Sequence, residues 1–120
     1  SDASVRAPQG PLSGDHPHPR AYGSFPRFLR ASLDGKTVEL PEAVRKMTSL
    51  PAEQFRLKNR GILAAGKRAD IVVFDPSEVT DAATFEKPHQ FANGISLVVV
   101  NGAVTLQDGR LTGQRAGIFL

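Results

Sequence analysis

The sequence predicts an α+β fold, with short helices in its first half and a small antiparallel sheet in its second. Three observations carry this. Between Ser24 and Phe55, helix-start residues precede apolar residues at helical spacing. After Ile62 the apolar residues gather into short runs bounded by turn residues, the pattern of strands. Asn101-Gly102 separates two of those runs and is the strongest short hairpin signal, because a type I′ turn needs positive φ at both central residues.

Taken in order, residues 1–23 read as a long irregular stretch. Pro8, Pro11, Pro17 and Pro19 oppose a regular helix, and Gly10, Gly14 and Gly23 loosen the backbone. Loops of this length in compact domains are usually functional or disordered, and the presence of His16, His18, Arg20 and Tyr22 favours function. Ser24 is the expected N-cap of a first helix running through Pro26, Phe28 and Leu29 to a stop near Gly35. Pro41 suits the first turn of a second helix, with Glu42 at its positive end and Leu40, Val44 and Met47 sharing one face. Ser49, Pro51 and Glu53 mark a third short helix through Phe55, and Gly61 closes the helical part.

The strands follow. Ala69 to Phe74 is ended by Asp75-Pro76, Ile95 to Val100 and Ala103 to Leu106 form the hairpin, and Asp108-Gly109 marks another turn. Leu97 and Val99 face one side of their strand and Val98 and Val100 the other, so this strand is expected to be buried on both faces. Helices this short do not cover such a sheet. The expectation is that part of the structure lies outside the chain.

Composition narrows the function. The chain has 120 residues, 40% hydrophobic and 22% charged, with 11 Gly and 9 Pro, which is globular but rich in turns. With no cysteine, neither a disulfide nor a thiolate metal site forms within it, and a cytoplasmic setting is compatible. Residues 1–11 are polar and broken by Pro and Gly, unlike a signal peptide. Leu97 to Val100 is far too short to span a bilayer, so no membrane partner is expected. Residues 1–68 hold 12 Lys and Arg against 6 Asp and Glu, whereas residues 69–120 hold 3 against 6. The basic charges are scattered and not interleaved with aromatics, so a solvated surface is favoured over a nucleic-acid partner.

His16-Pro17-His18 is the obvious candidate metal pair, since two His separated by one residue can share a zinc ion on a strand. Here a proline sits between them in a loop, and no further ligand follows at recognisable spacing. His89 stands alone in Lys87-Pro88-His89-Gln90. Loop histidines bonding locally are the plainer reading. Arg20, Arg27 and Arg30 could grip a carboxylate or phosphate through a planar fork, but surface charge is the simpler account of each. There is no phosphate-binding glycine loop and no Gly-x-Ser-x-Gly elbow.

These residues also resemble one family along nearly the whole chain. Ser1-Asp2, His16-Pro17-His18-Pro19-Arg20, Tyr22 to Arg27, Glu42 to Ala52, Ala69 to Pro76, Pro88-His89-Gln90 and Val100-Asn101-Gly102 are similar to the C-terminal part of the D-aminoacylases. These are N-acyl-D-amino-acid deacylases of the amidohydrolase superfamily. The His-Pro-His-Pro-Arg loop and the Arg45 to Pro51 run are the more particular matches.

The resemblance implies the end of a (β/α)8 barrel, its last loop and helices in residues 1–60, followed by strands of a small composite β-sandwich in residues 61–120. It implies a zinc-dependent hydrolase that cleaves the amide bond of N-acyl-D-amino acids, with Asp2 matching the catalytic Asp at the tip of the eighth strand. Such an Asp takes a proton from the attacking water and returns it to the leaving amine. It is also a candidate metal ligand, sharing both roles. Arg20, Tyr22 and His18 become candidate substrate-binding residues on the loop over the barrel mouth. The remaining zinc ligands lie upstream of the Asp in the family, so the partner expected for this chain is the rest of the barrel, and the chain alone is expected to be inactive. Another amidohydrolase, dihydroorotase-like or dihydropyrimidinase-like, and a non-catalytic β-rich interaction module are the alternatives.

Overall fold

A computed structural model describes residues 2–120. They form three helices and then a four-stranded sheet, in two compact units. The first unit joins residues up to Glu39 with Pro76–Gly94, and the second joins Leu40–Asp75 with Ile95–Leu120.

The first unit is built on α1 (Arg20–Leu33). Its N-cap, Pro19, lies five residues before the Ser24 that the sequence predicts. Pro19 stands at its N-cap with φ −51°, close to the helical value that the pyrrolidine ring fixes, so it launches the helix instead of preventing it. Ser24 is therefore inside the helix, where its hydroxyl donates back to the Arg20 carbonyl at 3.0 Å. Pro26 is also interior and supplies no N–H, which costs about 3 kcal/mol in an isolated helix. Packing on more than one side offsets it: Pro19, Gly23, Leu29 and Ser32 are buried, Gly23 against Asp81 and Ser32 bonded to the Val38 carbonyl. The C-terminus is closed as expected by Gly35. Its φ of +69° lets the Gly35 and Lys36 N–H groups reach back to the Ser32 and Ala31 carbonyls.

Segment 76–94 supplies the deepest core of this unit. Val79 is fully buried and Ala83 is 2% exposed. The bridge between Thr80 and Asn93 closes the segment, and Gly94 turns its end at φ +70°. A Cβ on Gly94 would lie 2.4 Å from the Val79 backbone nitrogen, so only glycine fits.

The second unit contains α2 (Leu40–Met47), α3 (Ser49–Gln54) and the strands β1 (Ile71–Phe74), β2 (Ile95–Val100), β3 (Ala103–Gln107) and β4 (Arg110–Leu111). The helix positions match expectation, but α2 buries Ala43 and leaves Val44 39% exposed, so its inner face is rotated from the one the larger side chains suggest. The sheet is antiparallel throughout, in the order β1-β2-β3-β4. Asn101 and Gly102 make the expected hairpin turn at φ 49° and 85°, and Asp108 and Gly109 make the next at 48° and 74°.

β2 is only half-buried on both faces, not buried as its apolar run suggests, and β1 exposes Val72 and Val73. What fixes the hairpin is a polar cluster at its turn. Arg60 pairs with Asp70 and donates to the Asn101 side-chain oxygen at 2.6 Å. Asp70 also accepts the Asn101 backbone N–H at 2.8 Å, and the Asn101 amide donates to the Ala116 carbonyl at 2.5 Å. Burial raises the Asp70 carboxyl, but the Asn101 N–H and the Arg60 guanidinium outweigh it and hold the group below the ordinary carboxylate range.

Two predictions follow from these contacts. Gly94→Ala meets both a left-handed backbone and a backbone clash, and should lose about 2 kcal/mol or more in denaturant unfolding. Gly102→Ala, with the same φ sign and nothing within 4 Å, should lose only about 1 kcal/mol; equal losses would contradict this packing. Asp70 has a depressed folded pKa, so its stabilisation is present above the unfolded value of about 4 and is lost as pH falls through the folded one. Asp70→Asn should accordingly lower stability at neutral pH and flatten the acid limb of a pH–stability curve, and an unchanged acid limb would remove Asp70 from it.

Candidate functional site

The histidine-rich loop lies in the first unit, where segment 76–94 meets it. The loop is not formless. Arg6 pairs with Asp15 at 2.8 Å, and a turn at Gly10 is closed by Ser13, whose N–H and hydroxyl both donate to the Gly10 carbonyl.

Each histidine has its own partners, and these fix its tautomer because a carbonyl can only accept. His16 donates from Nε2 to the Phe85 carbonyl at 2.5 Å. His18 accepts the Arg20 backbone N–H at Nδ1, 3.0 Å away, which leaves its proton on Nε2, and its ring stands edge-on to Phe85 with centroids 5.0 Å apart. His89 donates from Nε2 to the Asp15 carbonyl at 2.8 Å, so its Nδ1 accepts the Tyr22 hydroxyl at 3.1 Å. His16 and His18 thus engage different groups, and among the described residues no cluster of three or more His, Cys, Asp or Glu could hold a metal ion.

Of the residues singled out from the sequence, Asp2 meets Arg20 and His18 meets the Arg20 backbone, whereas Tyr22 meets His89. Asp2 is almost fully exposed, at 99%, with a left-handed backbone at φ 51° that Asp tolerates better than most residues. The Arg20 guanidinium lies 3.7 Å from its carboxylate, a loose ion pair at the first turn of α1. Tyr22 is one half-turn further along and is bracketed edge-on by His89 and Phe91, at 5.7 and 5.8 Å. Burial pushes the Tyr22 phenol up, the Asp15 carboxylate pushes the same way, and the Arg6 guanidinium pulls partly back. Tyr22 therefore stays protonated and acts as a donor.

The other two arginines are structural. Arg27 grips Asp81 through Nε and Nη2 at 2.9 and 2.6 Å, while Arg30 bonds Asp34 and the Pro76 carbonyl. Sequence reasoning missed the contribution of Phe85, His89 and Phe91, which lie more than sixty residues away along the chain. The only available signal was the isolated His89 between Pro88 and Gln90.

The chain belongs to the amidohydrolase family, whose model matches residues 10–106. Within it, the chain falls with the D-aminoacylases and N-acyl-D-amino-acid deacylases. It is 51% identical over 107 residues to a D-aminoacylase of Alcaligenes xylosoxydans xylosoxydans, a match covering 88% of this chain and 22% of that protein. A solved structure of a D-aminoacylase mutant in complex with CuCl2 matches with TM-score 0.81 at 50% identity, over 85% of this chain and 22% of the other. The N-acyl-D-glutamate deacylase of Bordetella bronchiseptica, solved with zinc and a phosphonate mimic of the tetrahedral intermediate, matches with TM-score 0.72 at 44% identity, over 80% and 21%. The chain thus spans about a fifth of the length of the relatives it matches. Its helices and open sheet correspond to the tail end of an amidohydrolase barrel and the strands that follow. No helix among the described residues is long and apolar enough to cross a membrane.

The site yields one spectroscopic prediction. The Tyr22 phenol should titrate above the free-tyrosine value of about 10 when followed by NMR of ring-labelled tyrosine, and Asp15→Asn should lower that midpoint. A Tyr22 midpoint at or below the free value would contradict the half-buried, hydrogen-bonded geometry.

Proposed function

We propose that the protein carrying this chain is a zinc-dependent amidohydrolase that cleaves the amide bond of N-acyl-D-amino acids. One observation carries the reading: an exposed carboxylate, Asp2, with Arg20 beside it and His18 on the same loop, in a chain half identical to a D-aminoacylase.

Asp2 accepts a proton from the attacking water and returns it to the amine as the amide C–N bond breaks. A carboxylate suits both transfers because it accepts, holds and releases one proton. Arg20 has the planar fork that matches a substrate carboxylate, and its loose pairing with Asp2 leaves donors available. The free Nε2–H of His18 is a second donor toward substrate, and Tyr22 forms the wall behind them. In the same reading Asp2 also serves as a metal ligand.

The described residues do not fit zinc on their own, because His16 and His18 engage different groups and no cluster of three or more His, Cys, Asp or Glu among them could hold a metal ion. The zinc of the proposal therefore needs donors beyond residues 2–120, in a (β/α)8 barrel of which residues 1–60 supply the last loop and helices. Residues 61–120 supply strands of a composite sandwich, and the half-exposed valines of β1 are the surface that the rest of the protein would cover. By itself the chain would be inactive. A cytoplasmic setting completes the proposal, and a chain without cysteine is compatible with it.

Turnover by the full-length, zinc-loaded protein tests the reading. N-acetyl-D-amino acids should be hydrolysed, with their L-enantiomers and a cyclic amide such as dihydroorotate much slower. Preference for the cyclic amide, or no amide hydrolysis at all, would refute it.

A further inference from the structure

Segment 76–94 contributes a ring, His89, that hydrogen-bonds to both the site loop and α1. His89 accepts the Tyr22 hydroxyl at Nδ1 and donates from Nε2 to the Asp15 carbonyl. One imidazole therefore joins the helix that carries Arg20 to the loop that runs from Asp2 to His18. At one end the ring accepts and at the other it donates, and neutral imidazole supplies both roles at once. The neighbouring aromatics reinforce the bridge. Phe85 meets the His18 ring and accepts His16 at its carbonyl, and Phe91 stands edge-on to Tyr22.

We propose that His89 is a positioning residue for the site: it makes no contact with substrate, but it holds Tyr22 and the Asp15 turn so that Asp2, His18 and Arg20 keep their places. This rests on the functional reading above. It also implies that the Tyr22 hydroxyl is turned toward His89, so that Tyr22 serves the substrate as a wall more than as a donor. A side chain of this kind matters because displacing reacting groups by about 1 Å can cost about a hundredfold in rate.

The experiment compares the full-length zinc-loaded protein with His89→Ala, His89→Gln, Tyr22→Phe and the Tyr22→Phe/His89→Ala pair, following kcat and KM on an N-acetyl-D-amino acid together with zinc content. His89→Ala should lower kcat/KM by about tenfold or more, chiefly in kcat, with zinc content unchanged. His89→Gln, whose amide can still donate to the Asp15 carbonyl, should recover part of the loss. The paired variant should be no worse than His89→Ala within about twofold, because the two residues act through one bond. A His89→Ala rate within about twofold of wild type, or losses that multiply in the pair, would overturn the proposal. Should His89→Ala fail to fold, His89→Gln and Tyr22→Phe carry the same comparison. If the wild-type protein hydrolyses none of these amides, the functional reading fails and the bridge is judged by ring-nitrogen NMR of His89. A protonated Nε2 and a bare Nδ1 that shifts in Tyr22→Phe would support it. A protonated Nδ1, or one insensitive to Tyr22→Phe, would refute it.

Discussion

The first unit depends on the docking of segment 76–94 against α1 at Gly23. A Cβ there would lie 3.1 Å from an Asp81 carboxylate oxygen, so the missing side chain is what lets Asp81 sit against the helix. Arg27, one turn on, closes over that carboxylate with two hydrogen bonds. An exposed ion pair contributes about 1 kcal/mol at most, so the pair sets register more than it supplies stability. The larger contribution comes from Val79 and Ala83, which are out of water on the same segment. Once the segment is seated, Phe85, His89 and Phe91 are delivered to the loop that carries the candidate site residues.

The second unit is organised differently. Its sheet has little apolar cover, and the hairpin turn is fixed by charge and hydrogen bonds. Arg60, Asp70 and Asn101 satisfy one another while Ala116 takes the remaining amide hydrogen. Such a cluster specifies register, because a slip of one residue would strand several polar groups at once. It leaves Val72 and Val73 of β1 exposed.

Much of this was legible in the sequence. Asn101-Gly102 and Asp108-Gly109 announced their turns through residues that tolerate positive φ, and Gly35 announced a helix end for the same reason. The start of α1 was misread because prolines at 17 and 19 suggested continuing loop, whereas a proline beside a helix start is compatible with it and the tertiary burial of Pro19 and Gly23 decides the matter. The face of α2 was misread because Val44 is larger than Ala43, and side-chain size does not say which residue sits at the close contact. His18, Arg20 and Tyr22 drew notice as polar and aromatic residues in a proline-rich stretch, and the family resemblance added Asp2. His89 and the aromatics escaped because their role comes from long-range docking, and nothing in local spacing encodes it.

In the proposed function, proton transfer rests on Asp2, with His18, Arg20 and Tyr22 as the proposed substrate side of the site. The most direct test is the full-length protein carrying Asp2→Asn, an isosteric change that removes the base without removing the side chain. The account predicts that kcat for N-acyl-D-amino acids falls by at least about a hundredfold while zinc stoichiometry is retained. A near-normal kcat in a zinc-loaded Asp2→Asn protein would contradict it.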